Sequence, residues 1–321
     1  MTPPLRQIAE HIRENDNFLV LSHVSPDGDA LGSMLAMGEL LAALGKRVTL
    51  FNESGIPHRF EWLAPKREIL TQLPAEEPDT IIVLDCGGPE RTGQIIKPWM
   101  EAKTVINIDH HLGNPLFGNL NWVEQRASSV GEMVGMLARA LDVPLVGLLG
   151  EYVYLALISD TGDFCFNNTR PETLEMAAEI LRLGLLPGPF HEQKQSTGTL
   201  SQLQMRGTVL HQARLHADGR ISLIAFTREL FERTGTGPED TEGLVNTVLY
   251  VRGVQVAISL REEKEGIKFS LRSKGSTNVQ AVAARFGGGG HRNAAGGNLI
   301  MDMERAKETM VRAVTEELDR P

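Results

Sequence analysis

Cysteine is nearly missing from this chain: Cys86 and Cys165 are the only two in 321 residues, and they lie outside any CxxC spacing. That excludes a disulfide framework and leaves two reduced, partly buried thiols. No apolar run reaches the roughly 18 residues needed to span a bilayer; the longest candidate, Leu145 to Ile158, is interrupted by Gly150 and Glu151. The first residues, MTPPLRQIAEHIREN, mix charges of both signs and carry neither the apolar core nor the small-residue cleavage site of a secretory signal. The cytoplasm is therefore the expected compartment, with no membrane partner. A strongly basic patch is also missing, which argues against duplex DNA as a partner. Internal repeats and low-complexity tracts are absent as well.

A hydrophobic share of 41% beside a charged share of 23% is that of a soluble globular protein, and the length suits two domains that each bury a core. Charge is uneven along the chain. Residues 1–200 hold 15 Lys and Arg against 26 Asp and Glu, a net of −11, and residues 201–321 hold 17 against 15, a net of +2. The first part suits cations, and the second tolerates phosphates.

Asn17–His23, Arg47–Asn52, Thr80–Asp85 and Thr104–Asp109 are near-continuous apolar runs, each closing on a polar or acidic residue. Such runs suit strands covered on both faces, so the expected fold class is α/β, with a doubly wound parallel sheet. Helical spacing follows over Asp29–Leu44, Ser129–Leu141, Leu145–Ser159 and Pro171–Leu183. The stretch GLLPGPFHEQKQSTGT breaks the alternation. Strand-like Arg220–Phe226, Val254–Leu260 and Ile267–Arg272, with helix-like Val279–Phe286 and Met303–Leu318, then predict a second, smaller mixed α/β domain. The expected division is a catalytic domain over 1–185, a linker over 186–200 and a substrate-binding domain over 201–321.

Ligands of doubly wound sheets sit beyond the carboxyl ends of the strands. His23, Asp27 and Asp29, in SHVSPDGDALGS, fall at that edge, as do Asp85 and Asp109-His110-His111; Asp160 ends the run YLALISD. Each has an ordinary reading as a turn, cap or packed residue. Their coincidence at one edge points instead to a shared site. Mixed Asp and His donors suit manganese, iron or zinc better than magnesium. Several carboxylates converging would repel one another unless cations lay between them, and two divalent ions about 3.5–4 Å apart form a clamp for phosphoryl chemistry that acidifies a water. The residues thus point to dimetal hydrolysis of a phosphate ester.

The set HVSPDGDALGS, IIVLD, DHH and ALISDTGDF, followed by GGGGHRNAAGG at 287–297, resembles the DHH phosphoesterase superfamily with its C-terminal DHH-associated domain, and within it the nanoRNase/pAp phosphatase branch. The resemblance covers about residues 5–315. It implies that His23 and Asp27 hold one metal, that Asp29, His110 and Asp160 hold a second, and that Asp85 bridges them, with Mn2+ the first expectation. It also implies that Asp109 orients His110 and that His111 faces the scissile phosphate as hydrogen-bond donor or general acid. Substrate residues would be Gly288, Gly289, Gly290 and His291 of the glycine motif, with Arg272 gripping a phosphate or stacking on a base. Asn246 and Arg285 are weaker candidates that also read as helix-face residues, and Ser128-Ser129 reads as a helix N-cap.

The resemblance implies hydrolysis of very short single-stranded RNA to mononucleotides, with 3′-phosphoadenosine 5′-phosphate as a second expected substrate. Cyclic di-AMP or pApA phosphodiesterase activity is the alternative within the same chemistry. A non-catalytic RNA-binding module is the alternative of another class, against which the intact metal motifs speak. A homodimer is kept open as the assembly state.

Overall fold

A computed structural model describes residues 2–196, 198–241 and 243–320, and divides the chain into two compact units, residues 1–197 and 198–321. The N-terminal unit runs α1 (Pro3–Glu14), β1 (Asn17–Leu21), α2 (Gly28–Ala43), β2 (Arg47–Phe51), β3 (Ile69–Leu70), β4 (Thr80–Leu84), α3 (Lys97–Ala102), β5 (Thr104–Asp109) and β6 (Leu120–Val123). Four helices follow: α4 (Val130–Ala140), α5 (Gly147–Asp160), α6 (Pro171–Arg182) and α7 (Pro187–Gln195).

Its six strands form one sheet in the order β3-β2-β1-β4-β5-β6, every pair parallel. The side-chain alternation of a strand divides each run between two cores. Phe18, Val20, Ile82, Leu84, Ile106 and Ile108 share a cluster with residues of α1, α2, α4 and α5. Leu19, Leu21, Ile81, Val83 and Val105 pack on the other face, where Trp99 and Met100 of α3 join them. Both faces are covered, which is why the strands read as unbroken apolar runs. The order turns back between β1 and β4, and a crevice opens where the chain leaves such neighbours in opposite directions. His23 follows one of these strands and Asp85 the other.

Within the glycine- and proline-rich stretch, Pro187–Gln195 forms a helix that the composition does not suggest. Pro187 and Pro189 stand in the first turn of α7, where a missing N–H costs little. Phe190 is buried, its ring 5.3 Å from that of Trp62 and 5.4 Å from that of Tyr154. The boundary between the two compact units falls just after this helix. One thiol also differs from expectation: Cys86 is buried, but Cys165 is exposed, because the turn that follows α5 carries it to the surface.

The C-terminal unit runs α8 (Leu200–His211), β7 (Arg214–His216), β8 (Ile221–Phe226), α9 (Arg228–Thr234), α10 (Leu244–Leu249), β9 (Val256–Glu263), β10 (Gly266–Ser273), α11 (Val279–Ala284), β11 (Gly289–His291), β12 (Ala294–Leu299) and α12 (Met303–Leu318). Its sheet has the order β11-β12-β10-β9-β8-β7, with β8 and β9 parallel and the other pairs antiparallel. One face, through Leu223, Ile258 and Leu271, packs on α12 residues Ala306, Met310 and Val314. The opposite face, through Ile224, Phe226 and Ala257, packs on α8, α9 and α10. Burying each such large aliphatic side chain contributes about 1.5–3 kcal/mol. Among the described residues no helix is long and apolar enough to cross a membrane.

Candidate active site

Asp85 follows β4 with a φ of +54°, a left-handed conformation that a residue with a Cβ adopts at a cost. Its backbone N–H donates to the Ile108 carbonyl at 3.1 Å, which holds the turn. The residue is 2% exposed, and its side-chain Oδ1 has no hydrogen-bond partner among the described residues. A buried carboxylate oxygen left so is costly unless a cation meets it. Burial and the neighbouring carboxylates, Asp29 first, push its pKa well above the ordinary range.

Asp85 lies within reach of two groups. His23 Nε2 is 3.9 Å from Asp85 Oδ2, while His23 Nδ1 lies 2.9 Å from the Val24 carbonyl. An Nδ1–H donated to that carbonyl leaves the Nε2 lone pair available to a metal ion. Asp27, the N-cap of α2, accepts from the Asp29 and Ala30 amides at 3.1 and 3.0 Å. Donor atoms of His23, Asp27 and Asp85 all lie within 4.8 Å of one another.

The second group is Asp29, His110 and Asp160, clustered within the same limit. His110 Nε2 sits 3.3 Å from Asp160 Oδ2, 3.5 Å from Asp85 Oδ1 and 3.8 Å from Asp29 Oδ2. Burial pulls the pKa of this imidazole down, yet Asp85 and Asp160 hold it above its usual value. Burial pushes Asp160 up to about 6. Asp29 is buried, and it accepts from the Val130 and Gly131 amides at 2.7 and 3.0 Å, so the start of α4 meets it with its positive end. That approach is close: a Cβ on Gly131 would lie 2.1 Å from the Cβ of Ala156, one turn before Asp160 on α5. Imidazole and carboxylate donors gathered within 4.8 Å of one another suit divalent cations of the manganese, iron or zinc class, so the residues fit the implied ions.

Asp109 has a different partner from the one expected. His110 turns its Nδ1 to the Ala127 carbonyl at 3.1 Å, and Asp109 Oδ1 accepts from His111 Nδ1 at 2.8 Å. Asp109 is fully buried, and although burial alone would raise its pKa, the hydrogen bonds from His111 and Asn114 bring it below the ordinary value. A third cluster, Asp85, His110 and His111, reflects the same convergence.

Sequence reasoning missed Asn114. Its Nδ2 donates to Asp109 Oδ2 at 2.6 Å and to the Cys86 carbonyl at 3.2 Å, while its Oδ1 accepts from Asn107 Nδ2 at 2.9 Å. The signal available was an asparagine shortly after the DHH triplet, and nothing in the spacing says that it folds back. Glu132 was missed as well. It is buried and accepts from the Ser128 hydroxyl at 2.6 Å and the Thr173 hydroxyl at 3.0 Å, clamping the loop that supplies the Ala127 carbonyl. Ser129 caps α4, accepting from the Glu132 amide at 3.0 Å.

In the C-terminal unit, Arg272 of β10 is half-buried and in register with Ala294 of β12, which is in register with His291 of β11. Residues 272 and 291 therefore occupy one row of the sheet, separated by a single alanine. The side chain of His291 lies outside the described residues. Gly288 and Gly290 have a packing reason to be glycine: a Cβ would meet the Gly296 carbonyl oxygen at 2.3 Å and the Ala294 carbonyl oxygen at 2.4 Å. At Gly289 a Cβ would meet nothing within 4 Å. Arg285 is engaged on α12, pairing with Glu316 and donating to the Ala313 carbonyl. Asn246 is half-buried on α10.

Residues 17–157 match the DHH family, N-terminal domain, and residues 223–319 match the DHHA1 domain. Over 320 residues the chain is 35% identical to the bifunctional oligoribonuclease and PAP phosphatase NrnA of Thermus thermophilus, covering 98% of this chain and 95% of that one. The chain belongs to the DHH family. The bifunctional oligoribonuclease and PAP phosphatase NrnA of Bacillus subtilis is 28% identical to this DHH-family chain over 292 residues, 88% of this chain and 90% of that one. A solved structure of an exopolyphosphatase-related protein from Bacteroides fragilis superimposes with a TM-score of 0.91 at 28% identity, over 98% of each chain. The DHH match spans β1 to α5, and so includes His23, Asp27, Asp29, Asp85 and His110; Asp160 lies three residues beyond it.

Proposed function

We propose that this DHH-family chain is a metal-dependent phosphoesterase that hydrolyses very short oligoribonucleotides to mononucleotides and converts 3′-phosphoadenosine 5′-phosphate to AMP. The observation that carries the reading is the buried Asp85, a member of one Asp/His cluster and 3.5 Å from His110 of a second, with its Oδ1 lacking a hydrogen-bond partner among the described residues. Similarity to two NrnA proteins over most of their length supports the substrate class.

In this reading His23, Asp27 and Asp85 would hold one divalent cation, and Asp29, His110 and Asp160 a second, with Asp85 near enough to serve both sets and Mn2+ the expected ion. Bound there, divalent cations neutralise the carboxylates, polarise a phosphoryl oxygen and acidify water. The chain's own residues do the rest. The Val130 and Gly131 amides fix Asp29, and the Ala127 carbonyl fixes His110. Asp109 engages His111 Nδ1, so a proton handed to the departing oxygen leaves from Nε2. Arg272, in one row with His291, grips the terminal phosphate or base of a short substrate, which favours short chains over long ones.

The test is incubation of the purified chain with Mn2+ and a labelled dinucleotide, a 24-mer, 3′-phosphoadenosine 5′-phosphate, pApA, cyclic di-AMP and pyrophosphate. Rapid release of mononucleotide from the dinucleotide is expected, with slow loss of the 24-mer. Absence of turnover on every substrate, or equal turnover after Asp85→Ala, sinks the catalytic reading. Preference for pyrophosphate or for cyclic di-AMP sinks the oligoribonucleotide one.

A further inference from the structure

The C-terminal unit contains a concavity that the proposed chemistry does not use. Strand β7 is the short edge of the second sheet, and its register sets Arg214 opposite Leu223 and His216 opposite Ile221. Both positions therefore face the side of the sheet on which α12 packs, while Leu215 takes the other side. Helix α12 contacts that face through Met303, Ala306, Met310 and Val314. Positions 304, 307, 308, 311 and 312 recur at helical spacing and form a neighbouring stripe. Between this stripe and the edge strand lies a cavity of about 570 Å³, within the roughly 300–1,000 Å³ typical of small-molecule sites.

Its lining has three kinds of surface. Leu223, Ala225 and Val311 make an apolar floor. Arg214 and Arg312 supply cations; Arg214 donates to the Ala213 carbonyl at 3.0 Å, and among the described residues no carboxylate pairs with either guanidinium. Lys307, by contrast, is held by Glu304 at 2.6 Å. Glu308 also lines the cavity and forms no ion pair among the described residues. A bare inorganic anion would leave the floor uncovered and meet Glu308 unfavourably. A ligand that combines an anion, hydroxyl donors and a planar apolar body satisfies all three surfaces.

We propose that this cavity binds a nucleoside 5′-monophosphate. The base lies on Leu223, Ala225 and Val311, the phosphate accepts from Arg214 and Arg312, and a ribose hydroxyl donates to Glu308. The choice of nucleoside rests on the phosphoesterase reading, whose product it is; the lining itself does not.

Amide hydrogen exchange of the full chain, with AMP, adenosine or inorganic phosphate added at millimolar concentration, tests the assignment. AMP is expected to slow exchange over 212–216 and along α12, and the double variant Arg214→Ala/Arg312→Ala to lower the affinity for that effect at least tenfold while hydrolysing a dinucleotide at the parent initial rate. The assignment is overturned if AMP slows neither segment, if the double variant keeps the full effect, or if inorganic phosphate alone reproduces it. Asp85→Asn separates the two readings, because it removes turnover and leaves the AMP effect on α12 in place. Protection lost in Asp85→Asn would overturn this site and leave the phosphoesterase reading standing.

Discussion

In the N-terminal unit Asp29, Asp85 and Asp109 keep at most 2% of their surface, whereas in the C-terminal unit charged groups meet near the surface, as Arg220 does with Asp319 and Arg285 with Glu316. The first sheet is wholly parallel and covered on both faces, so its strand ends are the places where polar residues come out of the core. The second is mostly antiparallel, and its rows of residues reach across strands. Buried carboxylates are costly and specify where positive charge must go; surface pairs contribute about 0–1 kcal/mol each and specify little. The contrast fits the proposal that bond breaking belongs to the first unit and substrate choice to the second.

Substitution of Asp85 tests the contrast most severely. Asp85→Asn is expected to reduce turnover about 10³-fold or more, while the metal-free variant melts at a higher temperature than its metal-free parent, because a carboxylate buried beside other carboxylates is gone. Calorimetry beside a dinucleotide assay reads both. A variant that loses activity and also melts lower would mean that Asp85 stabilises the fold in its own right.

The next effect is on pH. In the metal-free chain Asp160 titrates at about 6, and Asp29 and Asp85 are raised well above the usual value, burial being the main cause. A carboxyl with a raised pKa binds more protons in the folded than in the unfolded state, so stability falls as pH rises from about 4 through the folded values. His110, also raised, contributes stability that is full below about 6.5 and lost as pH rises through its folded value. Metal binding needs these groups deprotonated. The increase in Tm on adding Mn2+ should therefore be larger at pH 8 than at pH 5.5. An increase that shrinks with rising pH contradicts the assignment of these groups as ligands.

Asn114→Ala should lower kcat about 10- to 100-fold, as loss of a partner that orients a functional group does, with KM and bound metal unchanged. An equal fall in metal content would instead mark Asn114 as a support of the metal cluster. In the other unit Arg272→Ala should raise KM for a dinucleotide about tenfold and leave kcat alone, consistent with loss of one charged contact at about 1.4 kcal/mol. If kcat falls instead, the division between the two units fails. The smallest effect is expected at Arg285: Arg285→Ala should leave kcat and KM unchanged and destabilise by under about 1 kcal/mol, measured by denaturant melting.

These units also differed in how openly the sequence announces them. Parallel strands covered on both faces leave unbroken apolar runs, so β1, β2, β4 and β5, and the acidic or imidazole residues that end them, could be read directly. His23, Asp85 and His110 were legible for that reason, whereas Asp27 and Asp29 were read from a turn and Asp160 from the end of a helix-like run. Short edge strands were not: Ile69–Leu70 and Leu120–Val123 are too brief to show a period. Helix α7 hid behind two prolines that only its first turn tolerates, its order supplied by Phe190 packing on Trp62 and Tyr154. The partner of Asp109 was misread because a side-chain pairing between neighbours depends on which way the chain turns at the strand end. Asn114 was invisible for a related reason, since a loop folds back to place it. Arg285 looked available for substrate because Glu316, its partner on α12, is 31 residues away.

The contact between Gly131 and Ala156 is narrower than the width of one methyl group. Helices α4 and α5 carry the amides that grip Asp29 and the carboxylate of Asp160, so the spacing of those groups is inherited from a seam deep in the apolar interior. The site is in this sense calibrated from behind. Drift over generations in its outward-facing residues would change what the enzyme accepts, while drift along the seam would throw the instrument itself out of alignment.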